Sequence, residues 1–349
     1  MPTVSSLRSG RVESDRPASI RLYEPGPKGL DRPAAVTKRI AWRYAIPIAT
    51  MHLLALGVCL PWLFSWTGVV LLVAGIEIYG GLGINIAYHR LLTHRSFKCP
   101  LWLERCFVIC ALCCMEDAPA SWIATHRLHH HESDARPDPH SPLVSFLWGH
   151  VGWLLVENHA VRSMSAYERY ARDVLRDPFY LRLERSLLPI WIYLGHAFVY
   201  FLAGFLLGWG TTFSLSSGMQ FGLSLLVWGV IARTVCVWHI SWSVNSLTHL
   251  VGYQTYETAD NSRNSWFVAL LTSGEGWHNN HHADPSSASN SHRWWEIDLI
   301  YVFIRTLEFF GLATDVVPPR HQRQQQGNAP GANSQARSLP ENQRMRIAG

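Results

Sequence analysis

The chain of 349 residues is 48% hydrophobic and only 16% charged, whereas soluble domains carry roughly 25% charged residues. So much apolar material excludes a disordered protein and a small disulfide-stapled one. The formal net charge of +5 comes from the two tails, 1–43 and 319–349, so it does not indicate a nucleic-acid-binding domain, and we expect no nucleic-acid partner.

Two long uncharged stretches dominate the middle of the chain. No Asp, Glu, Lys or Arg occurs from Tyr44 to Ile76, and the apolar character continues past Glu77 to Tyr88. A second uncharged stretch covers residues 186–232. A membrane span needs about 20 apolar residues, so each stretch holds two spans joined as a helical hairpin. The predicted spans are about 44–65, 68–88, 187–207 and 218–239.

Basic residues flank these spans, while the two short hairpin loops carry no charge. The flanking residues are Lys38, Arg39, Arg43, Arg90, Arg95, Lys98, Arg182, Arg185 and Arg233. The positive-inside rule then places both termini in the cytoplasm. We expect a membrane domain at 41–318 between disordered tails at 1–40 and 319–349. Glu77, which is costly in lipid, is expected to face the protein interior or water.

Four of the seven cysteines have helical spacing: Cys106, Cys110, Cys113 and Cys114. We interpret them as small apolar residues packed on one helix face rather than as a metal site. An odd number of cysteines in a protein that faces the cytoplasm predicts no disulfide framework.

The 18 histidines are the strongest functional signal. Three clusters stand out, HxxxxH once and HxxHH twice: His89 and His94; His126, His129 and His130; His278, His281 and His282. Residues i, i+3 and i+4 share one helix face, and on the predicted topology all three clusters lie on the cytoplasmic side. Eight imidazoles suit two ions, and neutral imidazole favours Fe, Cu, Zn or Ni. We interpret eight other histidines as ordinary polar residues: His52, His140, His150, His159, His196, His239, His292 and His321.

Several motifs together resemble the membrane fatty-acyl desaturases, in particular the Δ9 branch of bacterial and plant acyl-lipid and acyl-CoA enzymes. They are GINIAYHRLLTHRSF (83–97), WIATHRLHHHESDARPDPHS (122–141), FLWGHVGWLL (146–155), SVNSLTH (243–249) and GEGWHNNHH (274–282). The resemblance covers about 40–316. It implies an all-α membrane protein with four spans and a cytoplasmic helical cap that holds a non-haem di-iron site. Its nine ligands would be the eight clustered histidines and His249, with Asn245 reaching one iron through water; spacing alone leaves His249 undecided.

The implied reaction is O2-dependent insertion of a cis double bond, at carbon 9, into a saturated acyl chain. The cofactors would be two iron ions, with O2 as co-substrate. The chain contains no HPGG haem-binding signature, so a separate electron donor is expected, either a ferredoxin or a small b-type cytochrome with its reductase. Thr125 stands where animal acyl-CoA members carry Asp. The acyl carrier therefore stays open between CoA, acyl-carrier protein and a membrane glycerolipid.

Five further residues are candidates for the surroundings of the metals. Asp138 and Glu275 could orient histidine ligands through the second ring nitrogen, although helix capping or surface charge would explain them equally well. By resemblance, Trp122, Trp238 and Trp242 line the bend of an acyl tunnel. Packing in the core or at the membrane interface is the alternative for tryptophans in general.

Two other functions are consistent with some of these features. A related di-iron hydroxylase or alkane monooxygenase would share the histidines, but the chain lacks the NYxEHYG-type box of the alkane hydroxylases. A metal transporter or histidine-rich sensor would place its ligands near the middle of the bilayer. The predicted cytoplasmic position of the clusters favours the desaturase.

Overall fold

The computed structural model describes residues 29–327. The predicted disordered tails lie largely outside these described residues. Where the description reaches into them, the chain has regular structure: Val36–Ile40 is a strand that pairs antiparallel with Val156–Asn158, and Arg320–Gly327 is a helix.

Helices make up most of the described chain. The α-helices lie at Trp42–Ala55, Trp66–Gly75, Leu101–Leu112, Pro119–Glu132, Phe146–His150, Met164–Tyr170, Arg172–Leu175, Pro178–Arg185, Leu188–Thr212, Leu215–Leu226, Arg233–Leu247, Trp266–Leu271, His278–Ala283, Leu299–Phe309 and Arg320–Gly327. Short 3-10 helices lie at Leu56–Cys59, Pro61–Leu63 and Gly152–Leu154. Two segments are π-helical, Ile76–Thr93 and Val227–Ala232.

Consecutive helices join into four segments that are long and apolar enough to cross a membrane. Span 1 is Trp42–Cys59, span 2 is Trp66–Thr93, span 3 is Leu188–Thr212 and span 4 is Leu215–Leu247. Their number agrees with the four predicted spans and supports a membrane protein. Two of their ends differ from the prediction. Span 1 ends at Cys59 rather than near residue 65, and Pro61 follows closely. Span 4 continues as helix past residue 239 through polar residues.

Spans 3 and 4 approach each other closely along glycines. A Cβ atom on Gly204 would lie 2.8 Å from the carbonyl oxygen of Phe221, and one on Gly208 would lie 2.5 Å from that of Ser217. Small residues permit such backbone contact between membrane helices, which lack a strong hydrophobic drive to associate.

Buried apolar side chains form two clusters. The first surrounds span 2 and the helices Leu101–Leu112 and Pro119–Glu132, with Ile86 and Ile123 fully buried in it. The second lies between spans 1 and 4 and contains Trp238 and Trp242. Among the described groups that could hold a metal, none includes a cysteine, and the seven cysteines are free thiols.

Two arginines that we used to orient the spans are buried instead. Arg90 is 1% exposed and forms ion pairs with Glu275 and Asp298. Arg233 is 0% exposed, and its Nη1 donates to the carbonyl oxygen of Cys113 at 2.8 Å. Each guanidinium therefore serves internal packing, and neither residue can count as a charge that marks the end of a span.

Glu77 is expected to face the protein interior or water, and the structure does not place it in the interior. Its side chain is exposed, and its Oε2 accepts a hydrogen bond from the Ser273 hydroxyl at 2.7 Å. The contact links span 2 to the segment that precedes the third histidine cluster.

Gly83 in span 2 gives a test of this packing. A Cβ atom at Gly83 would lie 2.4 Å from the backbone nitrogen of Ala111, and backbone cannot yield as a flexible side chain can. We expect Gly83→Ala to destabilise the protein by about 1–3 kcal/mol and to lower the Tm of the detergent-solubilised chain. Gly195→Ala is the matched control, because nothing lies within 4 Å of its Cβ position. Equal Tm values for the two variants would contradict the close approach.

Candidate metal centre

The structure brings the nine predicted histidines together in two groups. In each group the potential ligand atoms all lie within 4.8 Å of one another. Group 1 consists of His89, His94, His126, His130 and His281, and group 2 of His129, His249, His278 and His282. The two groups are adjacent, since the His130 and His282 rings are 4.5 Å apart between centroids.

The HxxxxH pair lies at the end of the π-helix Ile76–Thr93. The backbone N–H of His94 donates to the carbonyl oxygen of His89 at 3.1 Å, which is the i to i+5 bond of a π-helix. This winding brings residues five apart onto one face, so both rings enter group 1. A regular α-helix would turn the second ring away.

Each HxxHH motif contributes to both groups. In the helix Pro119–Glu132, His126 and His130 are four residues apart and face group 1, while His129 faces group 2. In the helix His278–Ala283 the assignment is reversed, because His278 and His282 face group 2 and His281 faces group 1. Two helices therefore tie the groups together.

His249 completes group 2 from the end of span 4. Its Nε2 lies 3.1 Å from Nε2 of His278. Asn245, one helical turn earlier, lines the two cavities that adjoin the histidines.

Four buried carboxylates accept hydrogen bonds from Nδ1–H groups. Glu275 pairs with His89 at 2.9 Å and Asp138 with His129 at 3.0 Å; these are the two acids singled out in the sequence. Asp134 pairs with His249 at 2.8 Å and Asp260 with His282 at 2.7 Å. Asp134 and Asp260 were not predicted. Asp134 lies four residues before Asp138 in the same motif, which is a usable signal, whereas Asp260 lies in a loop and has no such signal.

These pairs decide which nitrogen faces inward. A carboxylate can only accept, so each paired imidazole has its proton on Nδ1 and presents the Nε2 lone pair to the centre of its group. Nε2 of His129 and Nε2 of His282 are buried without a hydrogen-bond partner among the described residues. Within group 1, His281 Nε2 lies 2.9 Å from His130 Nε2. Lone pairs that converge in this way fit a cation with a preference for nitrogen ligands.

Burial keeps most of these imidazoles neutral. It holds the pKa well below the usual value, with help from neighbouring histidines, for His94, His126, His130, His278 and His281. His249 differs from these five. Burial lowers its pKa, but the neighbouring Asp134 carboxylate raises it by a larger amount, so the pKa lies above its ordinary value. For Glu275, burial raises the pKa, and Arg90 and His89 outweigh that effect and lower it to about 2.

A cavity of about 590 Å³ leads to group 1. The three predicted tunnel residues, Trp122, Trp238 and Trp242, all line it, and it reaches His126 and Asn245. A smaller cavity of about 50 Å³ adjoins the histidines on the other side and also touches Trp122, His126 and Asn245. Trp122 stacks on His126 with the ring centroids 4.9 Å apart, so the larger cavity and the histidines share a wall.

Four of the other histidines fall into two arrangements. His52, His239 and His150 form a hydrogen-bonded chain with nitrogen–nitrogen distances of 3.0 Å, apart from both groups. His140 lies next to the site: its ring is 4.4 Å from that of His129 between centroids, and it lines the large cavity. Its interpretation as an ordinary polar residue therefore overlooked this position.

The unpredicted pair between Asp260 and His282 gives a second test. We expect Asp260→Ala to weaken metal binding by roughly 10–100-fold, because the His282 ring loses the acceptor that fixes its tautomer and orientation. Chelator competition on the purified protein measures this. Asp31→Ala, at an exposed carboxylate, is the control; equal affinities in the two variants would contradict the role of Asp260.

Comparisons with known proteins agree with this geometry. The profile of the family "Fatty acid desaturase" matches residues 60–312. The chain is 41% identical over 278 residues to an sn-1 stearoyl-lipid 9-desaturase of Anabaena variabilis, covering 80% of this chain and 94% of that protein. It is 39% identical over 292 residues to an acyl-CoA 5-desaturase of Anemone leveillei, covering 81% and 84%. It is 37% identical over 285 residues to an sn-2 palmitoyl-lipid 9-desaturase of Nostoc sp. (strain 36), covering 81% and 93%. The chain therefore belongs to the fatty acid desaturase family and is an oxidoreductase, an acyl desaturase.

Proposed function

We propose that the protein inserts a cis double bond at carbon 9 of a saturated fatty-acyl chain, with O2 as co-substrate. The single observation that carries the proposal is that group 1, which adjoins group 2, reaches a large, mainly apolar cavity through His126. The acyl chain is carried on a membrane lipid or on CoA. The relatives named above include both kinds of enzyme.

The nine histidines of groups 1 and 2 would hold two iron ions, with Asn245 in contact with one of them through water. When bound, the ions supply the redox chemistry that activates O2 for removal of hydrogen from an unactivated methylene pair. The carboxylates Asp134, Asp138, Asp260 and Glu275 orient the imidazoles. Electrons come from a separate carrier, a ferredoxin or a small b-type cytochrome with its reductase.

The channel residues position the carbon–carbon bond. Trp122 packs against His126, and Trp238 and Trp242 stack on each other with centroids 5.8 Å apart. Rigid aromatic walls restrict where a flexible acyl chain can bend, and their apolar surface keeps water from the reacting carbons.

We infer two hairpins, spans 1 and 2 and spans 3 and 4, with both termini and the histidine groups on the cytoplasmic side. The glycine contacts between spans 3 and 4 support the second hairpin. Apart from the buried Arg90 and Arg233, basic residues still flank the spans. They are Lys38, Arg39, Arg43, Arg95, Lys98, Arg182 and Arg185. The desaturase domain would cover 41–318.

Expression in a host that lacks fatty-acid desaturation tests the activity. We expect wild-type protein to yield fatty acids with a cis double bond at carbon 9, found by positional analysis of the lipids. A hydroxylated product would favour the related di-iron hydroxylase, and saturated lipids under active electron supply would contradict both.

The histidine assignment has its own test. We expect His130→Ala or His281→Ala to abolish the product and to lower bound iron, since each removes a ligand of group 1. His159→Ala is the matched control, because this side chain is exposed and outside both groups. Full turnover in either ligand variant would remove the catalytic assignment.

The channel assignment is tested at Trp242, which is 5% exposed. We expect Trp242→Ala to widen the channel and to shift the chain length or the double-bond position of the product. Trp294→Ala, at a side chain that is 90% exposed, controls for loss of a tryptophan. An unchanged product profile in Trp242→Ala would exclude this residue from the channel wall.

A further inference from the structure

The loop 113–118 lies between the helices Leu101–Leu112 and Pro119–Glu132 and has an unusual backbone. Met115 has φ +55° and Asp117 has φ +68°, a left-handed conformation that favours glycine. Glu116 is held between these two residues. Strained residues of this kind persist only where the surrounding structure fixes them, and they concentrate at functional sites.

Three spans fix the loop. From span 4, Arg233 Nη1 donates to the carbonyl oxygen of Cys113 at 2.8 Å, and Trp238 Nε1 donates to that of Cys114 at 2.7 Å. From span 1, the Tyr44 hydroxyl donates to Asp117 Oδ1 at 2.6 Å. From span 2, the Tyr88 hydroxyl donates to the carbonyl oxygen of Asp117 at 3.2 Å. Hydrogen bonds from spans 1, 2 and 4 therefore hold this strained backbone in place.

This anchoring places the Glu116 carboxyl against the channel. Its Oε2 accepts hydrogen bonds from the Ser241 hydroxyl at 3.0 Å and from Trp122 Nε1 at 3.4 Å. Its Oε1 is buried without a hydrogen-bond partner among the described residues. Glu116, Trp122 and Ser241 all line the large cavity, and Trp122 and Ser241 also line the small one.

A carboxylate in this position would be poorly stabilised. Among the described residues, no lysine or arginine forms an ion pair with Glu116, and the nearest charged group on its own loop is the acidic Asp117. An unpaired charge costs far more to bury than a hydrogen-bonded neutral group. An acyl chain that fills the channel would remove the remaining water and increase that cost.

We propose that Glu116 is a specificity residue of the acyl channel that works as a neutral carboxylic acid, holding Trp122 and Ser241 in place and admitting an acyl chain only while it is protonated. The inference rests on the proposed function, since it takes the large cavity to be the acyl channel. Glu116 acts through Trp122, which stacks on His126, and is therefore a positioning residue.

The electrostatic surroundings agree with this role. Burial raises the pKa of Glu116 to about 8; the hydrogen bonds from Ser241 and Trp122 oppose the rise, and Asp117 adds to it. The other titratable groups that face it are Cys114 on the same loop and Tyr88 on span 2. The neutral form is therefore the one present below about pH 8, and it is lost as the pH rises further.

The first experiment is a pH titration of kcat/KM, which reports ionisations of the free enzyme. We expect a fall of roughly tenfold per pH unit above about pH 8 in the wild type. The fall in kcat should come at higher pH, because a bound chain raises the pKa of Glu116 further. Glu116→Gln keeps the shape and the neutral hydrogen bonds, so we expect turnover within a few-fold at neutral pH and no alkaline fall. Glu168→Gln, at an exposed side chain, should retain the fall, and an unchanged fall in Glu116→Gln would overturn the proposal.

The second experiment does not depend on catalysis. Infrared difference spectra of the full-length purified protein, wild type against Glu116→Gln, should show a carboxylic-acid carbonyl band at neutral pH that disappears around pH 8. Ser241→Ala removes a hydrogen bond that favours the carboxylate, so the band should persist to higher pH in that variant. Absence of the band at neutral pH would overturn the proposal. The band together with a lack of any lipid product would instead contradict the proposed function alone.

Discussion

The structure of the site depends on one repeated interaction, a buried carboxylate that accepts the Nδ1–H of a histidine. The four pairs join Glu275, Asp138, Asp134 and Asp260 to His89, His129, His249 and His282. Each pair fixes a tautomer and a ring orientation, so that Nε2 lone pairs meet at two points. Negative charge is thereby buried next to the imidazole rings, and cations between the lone pairs would offset it. The four carboxylates thus orient the imidazole rings and also favour bound cations.

Further polar contacts around the site hold these pairs in position. Arg90 connects Glu275 to Asp298, and so couples span 2 to the third histidine motif. The helix His278–Ala283 has only six residues and would not be stable alone. Its non-ligand residues secure it instead, since Asn280 Nδ2 donates to Glu296 Oε2 at 2.8 Å and Asn264 Nδ2 donates to Asn280 Oδ1 at 2.8 Å. Gly276 is required nearby, because a Cβ atom would lie 2.0 Å from the nitrogen of Ala269.

Local patterns in the sequence predicted the spans and the histidines that meet. Apolar length is a property of one segment, and the spacing HxxHH describes one helix face. Features that depend on distant partners were not predictable: the pairing of Asp260 with His282, the burial of Arg233 against Cys113, and the strained backbone around Glu116. The π-helical winding that aligns His89 with His94 is also not visible in composition. His249 became a candidate only through resemblance to a family, because a single histidine is not part of any spacing pattern that would indicate a ligand.

The large cavity and the histidine groups cannot vary independently. Trp122 touches both, as it stacks on His126 and donates to Glu116. Asn245 lies one turn after Ser241 on span 4 and lines the same cavities. A change that moves this wall of the large cavity therefore also moves a ring of group 1. Under the proposed function, the position of the double bond would therefore depend on the junction at Trp122, Ser241 and Glu116 more than on the length of the cavity.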